Sequence, residues 1–332
     1  MRTDTRTTLF LALLLAALLA ACEPMAVQMA TPQVIVVTAI PSSTPPPTLT
    51  PTLTPTVTPT PTPANTRTPT PMPCMSEGGF VDEIRQNRSE VADGENLRYN
   101  VYLPPCYGQS QRRFPVVYLL HGATYTETQW PQIGTIDALE RAMRVGSVGP
   151  MILVMPFLGN IGIQNTFPPN DSYETVLLEE LVPTIDRDFC TLRNPAHRAV
   201  GGISRGGFWA LSVGLRHPDV FGAVGGHSAE VDIPNVPVNN NPLDLARNAA
   251  TLDDVPLRIY VDNGADDPAG VDLRAFSNRL TSREIPHTYS IFPEGAHNNA
   301  YWSSHVGEYL EFYGGPWETD INSLPSCLEP SP

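Results

Sequence analysis

Apolar positions along the chain fall into three regimes. Leu9 to Ala21 is an uninterrupted apolar run of thirteen residues, whereas 41–73 carries proline and threonine in place of any apolar periodicity. Beyond residue 74, short apolar runs alternate with stretches at helical spacing. Val116 to Leu120, Met151 to Met155 and Leu257 to Val261 read as buried strands. Asp171 to Phe189 places Val176, Leu177, Leu181 and Ile185 on one helical face. Gly79 to Gln86 and Leu97 to Leu103 predict an antiparallel pair joined by a turn at Asp93-Gly94. Strands alternating with helices define an α/β protein, with a mostly parallel central sheet, helices on both faces and an N-terminal antiparallel hairpin. In such sheets ligands bind at the carboxyl ends of the strands.

The two outer regimes set the organisation. Arg2 and Arg6 precede the apolar run, which is shorter than the roughly 20 residues a spanning helix needs, so it reads as a signal-peptide core. It ends in Leu19-Ala20-Ala21-Cys22, which resembles the lipobox of bacterial lipoproteins. The expected organisation is a signal peptide over 1–21, a lipidated Cys22 with a disordered Thr/Pro-rich stalk over 22–73, a folded domain over 74–328 and a tail at 329–332. Twelve prolines, twelve threonines and a single charge, Arg67, fill 41–73, a composition that cannot build a core. The folded domain is thus expected outside the cytoplasm, tethered to the membrane through Cys22.

Charge narrows the chemistry. Twenty basic residues against 34 acidic ones give a net charge of −14, which opposes binding to nucleic acid. All twenty basic residues are arginine. Without lysine there is no Schiff base, no phosphate-loop ammonium and no serine–lysine dyad. The four cysteines beyond Cys22 are separated by 32, 84 and 137 residues and form no C-x-x-C unit, so neither a metal nor an organic cofactor is expected. An even count in an extracytoplasmic domain predicts two disulfides. The hairpin ends bring Cys74 beside Cys106, leaving Cys190 to pair with Cys327.

One segment carries a catalytic signature. Arg198 to Ile203 reads as a strand, Gly202-Ile203-Ser204-Arg205-Gly206 fits G-x-S-x-G, and Gly207 to His217 reads as a helix, together a nucleophile elbow. A serine hydroxyl needs a base held by a carboxylate, here in the chain order Ser, Asp, His. Asp266 and Asp267 follow the strand ending at Val261, and His297 follows the strand Thr288 to Phe292. The other six histidines precede the acids or sit in a turn, a strand or a helix, where core or surface roles suit them better.

These residues, with Tyr118 to Leu120 before His121-Gly122, Glu179-Glu180-Leu181-Val182-Pro183 leading to Asp186, His217-Pro218 before Phe221, Gly264 through Asp267 and Gly295 to His297, resemble the putative esterase (esterase D-like) family of α/β hydrolases. The resemblance spans roughly 100–314. It implies hydrolysis of carboxylic esters, among them carbohydrate-linked acetyl and feruloyl esters, with Ser204 as nucleophile and His297 as base. The family's acid lies three residues after a glycine, which lands on Asp267, with Asp266 in reserve. The backbone amides of Ala123 and Arg205 are the expected oxyanion donors, while the Arg205 side chain is expected merely to pack on the surface. Tyr125, Trp130 and Trp302 are candidates to contact a small-molecule or carbohydrate ester, and 232–244 reads as a lid or a surface loop. An acyltransferase with the same triad, as in the family's mycolyltransferases, and a non-catalytic binding lipoprotein are the alternatives.

Overall fold

The computed structural model describes residues 33–37, 74, 77–253 and 255–329. The expected signal peptide, Cys22, most of the stalk and the last residues of the tail lie outside them. Nine strands form one sheet: β1 (Gln33–Val37), β2 (Phe80–Arg88), β3 (Asn96–Leu103), β4 (Val116–Leu120), β5 (Ile152–Pro156), β6 (Arg198–Ile203), β7 (Ala223–His227), β8 (Arg258–Gly264) and β9 (His287–Phe292). Their spatial order is β1-β9-β8-β7-β6-β4-β5-β3-β2. The six strands from β5 across to β9 are mutually parallel, and β3 joins β5 antiparallel. Because β4, β5, β6 and β7 are buried along their whole length, they read as continuous apolar or glycine-rich runs rather than alternating ones.

The predicted hairpin forms. β2 and β3 pair from Phe80↔Leu103 to Arg88↔Asn96, with an irregularity between Asp82 and Arg85. Asp93 and Gly94 both take positive φ, 52° and 76°, the conformation for which that dipeptide is suited. The hairpin ends bring Cys74 and Cys106 to a Cα separation of 5.2 Å, and they are bonded; Cys190 and Cys327 are bonded at 5.6 Å.

Two expectations are corrected. The helix over 171–189 is interrupted: Tyr173–Thr175 is α-helical, Val176–Leu181 is π-helical and Val182–Asp188 is α-helical again. Pro183 has no N–H to donate into the preceding turn, so the ladder widens just before it. Gln33–Val37, inside the expected stalk, is an edge strand antiparallel to β9, from Gln33↔Ile291 to Val37↔His287. Gln-Val-Ile-Val-Val is β-branched and free of proline, unlike the tract that follows.

Four longer helices complete the layers: α1 (Thr135–Val145), α2 (Arg205–Arg216), α3 (Gly270–Ser282) and α4 (Asn299–Gly314). The helix α2, buried over eleven residues from Arg205 to Leu215, packs with α3 on one face of the sheet over Val200, Val224 and Val261. Helices α1 and α4 cover the other face over Val117, Leu153 and Ala199. The loop 232–244 is packed down and does not form a free lid. Ser212 Oγ donates to Asn240 O at 2.7 Å, and Asn241 Nδ2 donates to Asp232 Oδ1 at 3.0 Å.

Candidate active site

Strand β6 turns into α2 at Ser204, whose backbone stands at φ 54°, ψ −114°. A non-glycine residue there is strained, and the neighbours show what holds it. A Cβ on Gly202 would lie 2.2 Å from Gly206 C, and one on Gly206 would lie 2.4 Å from Leu120 O. Gly207 would collide with Ala229 Cβ at 2.6 Å. The glycines of the pentapeptide are therefore required by the close approach of β6, α2 and the end of β4, and the serine is left at the strand's carboxyl end.

Three loops at that end converge. Ser204 Oγ lies 2.9 Å from His297 Nε2, and His297 Nδ1 lies 3.0 and 3.2 Å from the two carboxylate oxygens of Asp267. Asp266, the reserve candidate, is exposed and uses its N–H on Gly295 O. The Asp267 side chain is fully buried, while that of His297 is 32% exposed, so the ring bridges the interior to solvent. Burial pushes the Asp267 carboxyl upward. Hydrogen bonds from His297 and the Ala269 amide, with the Ser228 hydroxyl nearby, outweigh it and hold the group below the usual range. A carboxylate kept ionised beside Nδ1 fixes the tautomer in which Nε2 can accept a proton from the serine.

The loop after β4 is held as firmly. Leu158 N–H donates to His121 Nε2 at 2.9 Å, so the proton sits on Nδ1 and is donated to Gly122 O at 2.7 Å. Burial pushes the His121 pKa down to about 4, which keeps that neutral tautomer in place. Gly122 O also accepts from Tyr125 N–H at 3.0 Å. With its carbonyl clamped twice, the Gly122–Ala123 peptide has one orientation, and its N–H points the opposite way. Gly122 itself is fixed by Gln129 Oε1 at 2.8 Å, and a Cβ on it would stand 3.7 Å from Ser204 Cβ. Arg205 N is the first amide of α2 and has no partner within its helix.

Other site expectations fare differently. Trp130 is a core residue, 1% exposed, donating its indole N–H to Leu120 O and lying edge-on to His227 and Tyr309. Trp302, also 1% exposed, lies beneath His297 with its ring edge-on to the imidazole, 5.2 Å between centroids. Burial takes both from any substrate-contacting role, since α4 and the β4 loop turn the indoles inward. Tyr125 is half-buried, stands edge-on to Trp302 and borders Gly122. The Arg205 side chain, expected on the surface, is buried. It donates to the carbonyls of Gly162, Ile163 and Gln164 and lies over Phe208, tying the elbow to one wall of a polar cleft of about 920 Å³ that Gln164 lines.

Sequence reasoning missed Ser228 and Gln129, neither of which belongs to a recognisable motif. It also missed the buried cluster beside the site, in which Asp262 Oδ1 meets His227 Nδ1 at 2.7 Å and Oδ2 accepts from Tyr301 and Tyr309 at 2.6 and 2.9 Å. Among the described residues no group of His, Cys, Asp and Glu is placed to hold a metal.

A mostly parallel sheet in this strand order, with a strained serine on the β6–α2 turn, defines an α/β hydrolase. The family model described as "Putative esterase" matches residues 90–312, and the chain belongs to that family. It is 37% identical over 141 residues to an endo-1,4-β-xylanase/feruloyl esterase of Xylanibacter ruminicola, covering 39% of this chain and 19% of that protein. It is 33% identical over 147 residues to Esterase Rv1288 of Mycobacterium tuberculosis, covering 43% and 31%. The chain thus spans less than a third of either curated relative. Among solved structures, a ferulic acid esterase superposes with a TM-score of 0.64 at 29% identity, covering 71% of this chain and 98% of that one. An S-formylglutathione hydrolase (FrmB) from Staphylococcus aureus has the same fold, with a TM-score of 0.60 at 18% identity over 70% and 99%.

Proposed function

We propose that the protein is a serine esterase that hydrolyses carboxylic esters through an acyl-enzyme. The observation that carries this reading is the continuous chain from Ser204 Oγ through His297 to Asp267, on a strained elbow. His297 takes the serine proton as Oγ attacks the ester carbonyl and returns it to the leaving alcohol. The same ring then activates a water that releases the acid. Asp267 orients the imidazole and stabilises the imidazolium. The amides of Ala123 and Arg205 receive the developing oxyanion, the first aimed by the clamped Gly122 carbonyl. The family match and the feruloyl esterases among the similar proteins support carbohydrate-linked hydroxycinnamoyl or acetyl esters as the substrate class. The Arg-flanked apolar run ending at Cys22 and the two disulfides support a lipid-anchored domain outside the cytoplasm.

The test is hydrolysis of p-nitrophenyl acetate and of methyl ferulate. Ser204→Ala should lower kcat by about four orders of magnitude with an unchanged circular dichroism spectrum. Ordinary turnover by that variant would remove the mechanism. Product analysis with added acceptor alcohols separates hydrolysis from acyl transfer.

A further inference from the structure

Gln129 is fully buried, and its side chain reaches two loops of the site at once. Gly122 N–H can only donate, so the atom that faces it at 2.8 Å is Oε1. Nε2 is then left to donate to Asn299 Oδ1 at 2.9 Å. Gly122 begins the peptide whose N–H belongs to Ala123, and Asn299 stands two positions after His297. The mount of the side chain is firm. Gln129 opens the helical turn Gln129–Gln132, its own N–H donates to Thr126 O at 3.0 Å, and the next residue, Trp130, holds Leu120 O. One side chain therefore braces the loop of Gly122 and Ala123 against the loop of His297.

We infer that Gln129 is a positioning residue that sets the oxyanion loop against the base loop, with Asn299 as its far anchor. This rests on the reading of Ser204, His297 and Asp267 as the catalytic triad and of the Ala123 amide as an oxyanion donor. The hydrogen bonds to Gly122 O come from His121 and Tyr125, neighbours in the same loop, and fix its internal shape. His121 is tied in turn to Leu158, beyond β5. None of these hydrogen bonds reaches the loop of His297. Gly122 has no Cβ, and the nearest atom to where one would stand is 3.5 Å away, so crowding does not set its torsions. The Gln129 amide supplies that restraint, and the place needs both its ends, an acceptor for Gly122 N–H and a donor for Asn299. An apolar side chain of the same length would leave the Gly122 N–H buried without an acceptor. The turn and α4 are joined a second time, by Ser303 Oγ donating to Ile133 O at 2.9 Å, so losing the Gln129 bonds loosens the loop without detaching the helix.

The experiment compares Gln129→Met, Asn299→Ala, Asn299→Asp and the Gln129→Met/Asn299→Ala double variant with wild type, with Ser204→Ala setting the floor. Two quantities are read at 25 °C on protein shown to be folded by circular dichroism: the kinetics of p-nitrophenyl acetate hydrolysis and the Ki of a trifluoromethyl ketone, whose adduct on Ser204 carries an oxyanion. Removing an oxyanion donor outright costs about 10² to 10³ in kcat, and an amide merely displaced keeps part of that. Gln129→Met should therefore lower kcat about ten- to a hundredfold with KM within about threefold, and raise Ki by the same factor as kcat/KM falls. Asn299→Ala removes only the far anchor and should lower kcat about three- to tenfold. Asn299→Asp restores an acceptor for Nε2 and should recover most of that loss. The double variant should match Gln129→Met within about twofold, because Asn299 acts through Gln129. If Gln129→Met keeps kcat and Ki within about twofold of wild type while Ser204→Ala is inactive, the inference is overturned and the triad stands. A fall in kcat with Ki unmoved overturns it as well, as does an Asn299→Asp variant no better than Asn299→Ala. Should Gln129→Met not fold, Asn299→Ala is judged alone, and kcat and Ki within about 1.5-fold of wild type overturn the inference. If Ser204→Ala turns over normally, both readings fall.

Discussion

Two buried aspartates stand five positions apart at the end of β8, and the structure separates their roles sharply enough to be measured. Asp262 is completely enclosed, and its carboxylate accepts from His227, Tyr301 and Tyr309. His227 is in turn bonded through Nε2 to the Tyr313 hydroxyl at 2.8 Å, so the cluster joins β7, β8 and α4. Asp262→Asn preserves shape but replaces one acceptor oxygen with an NH₂ group. Whichever way the amide turns, a donor that now has a carboxylate oxygen loses its acceptor: the His227 ring N–H on one side, the two tyrosine hydroxyls on the other. Breaking a buried polar partnership of this kind costs about 3 to 5 kcal/mol, because the orphaned donors cannot reach water. For a domain of this size that is a fall in melting temperature on the order of 10 °C. Thermal unfolding followed by circular dichroism reads it. At 25 °C, with the variant still folded, kcat/KM should stay within about threefold of wild type, since Asp262 touches neither Ser204 nor His297. Asp267→Asn should give the mirror image, a loss of about 10³ to 10⁴ in kcat with a small shift in melting temperature. A stability loss under about 1 kcal/mol for Asp262→Asn would refute the reasoning, as would a folded variant as inactive as Asp267→Asn.

Two further outcomes follow from the frame around the site. Removing the Cys190–Cys327 bridge opens a loop of 137 residues, for which chain entropy gives about 5 kcal/mol in the loop-closure model. The measured loss on double replacement by alanine should be smaller, because the tail is also held by Arg113 N–H to Pro325 O at 2.9 Å and Cys327 N–H to Gln111 O at 2.7 Å; a loss above that ceiling in urea unfolding would contradict this. Glu174 is buried, and although burial pushes its carboxyl up, His217 and Arg216 hold it below the ordinary value. Its contribution is therefore present above about pH 4.5 and lost as pH falls through the lower, folded value, so Glu174→Gln should reduce stability at pH 7 and flatten the acid limb of the stability curve; an unchanged acid limb would show that Glu174 does not drive it.

What could be read from sequence is what local sterics or chain order dictates. The elbow was legible because Gly202 and Gly206 are demanded by contacts within a few residues, and the order Ser, Asp, His follows from the topology of the sheet. The hairpin and its disulfide were legible through Asp93-Gly94. Burial in the third dimension was not. Trp130, Trp302 and Arg205 each lie beside the site in sequence, yet which way a side chain turns depends on what the opposite layer offers: a carbonyl of Leu120, the hydroxyl of Ser228, or the carbonyls of 162–164. Ser228 itself carries no motif. It takes a left-handed backbone after β7 and accepts from the Trp302 indole, 74 positions away.

The choice between Asp266 and Asp267 shows how a single glycine can settle what a single charge cannot. Both acids have the right chemistry and nearly the same place in the chain, and a loop has no periodicity to tell inward from outward. The two strand ends that carry Asp267 and His297 are pressed together at Gly264 and Gly295, where a Cβ on Gly264 would lie 2.1 Å from Gly295 O. Gly295 itself takes φ 118°, which an L side chain rarely adopts. With the loops in contact, Ala265 N–H donates to Phe292 O at 2.9 Å and Asp266 N–H to Gly295 O at 3.1 Å, so the backbone of 265 and 266 is consumed in joining β8 to β9. Asp267 then closes the turn, its N–H on Gly264 O at 3.1 Å, and its side chain is the one directed inward to His297. The spacing of three from glycine to acid is thus the length of the turn that two touching strand ends permit, and Asp266, one position earlier, is left facing solvent.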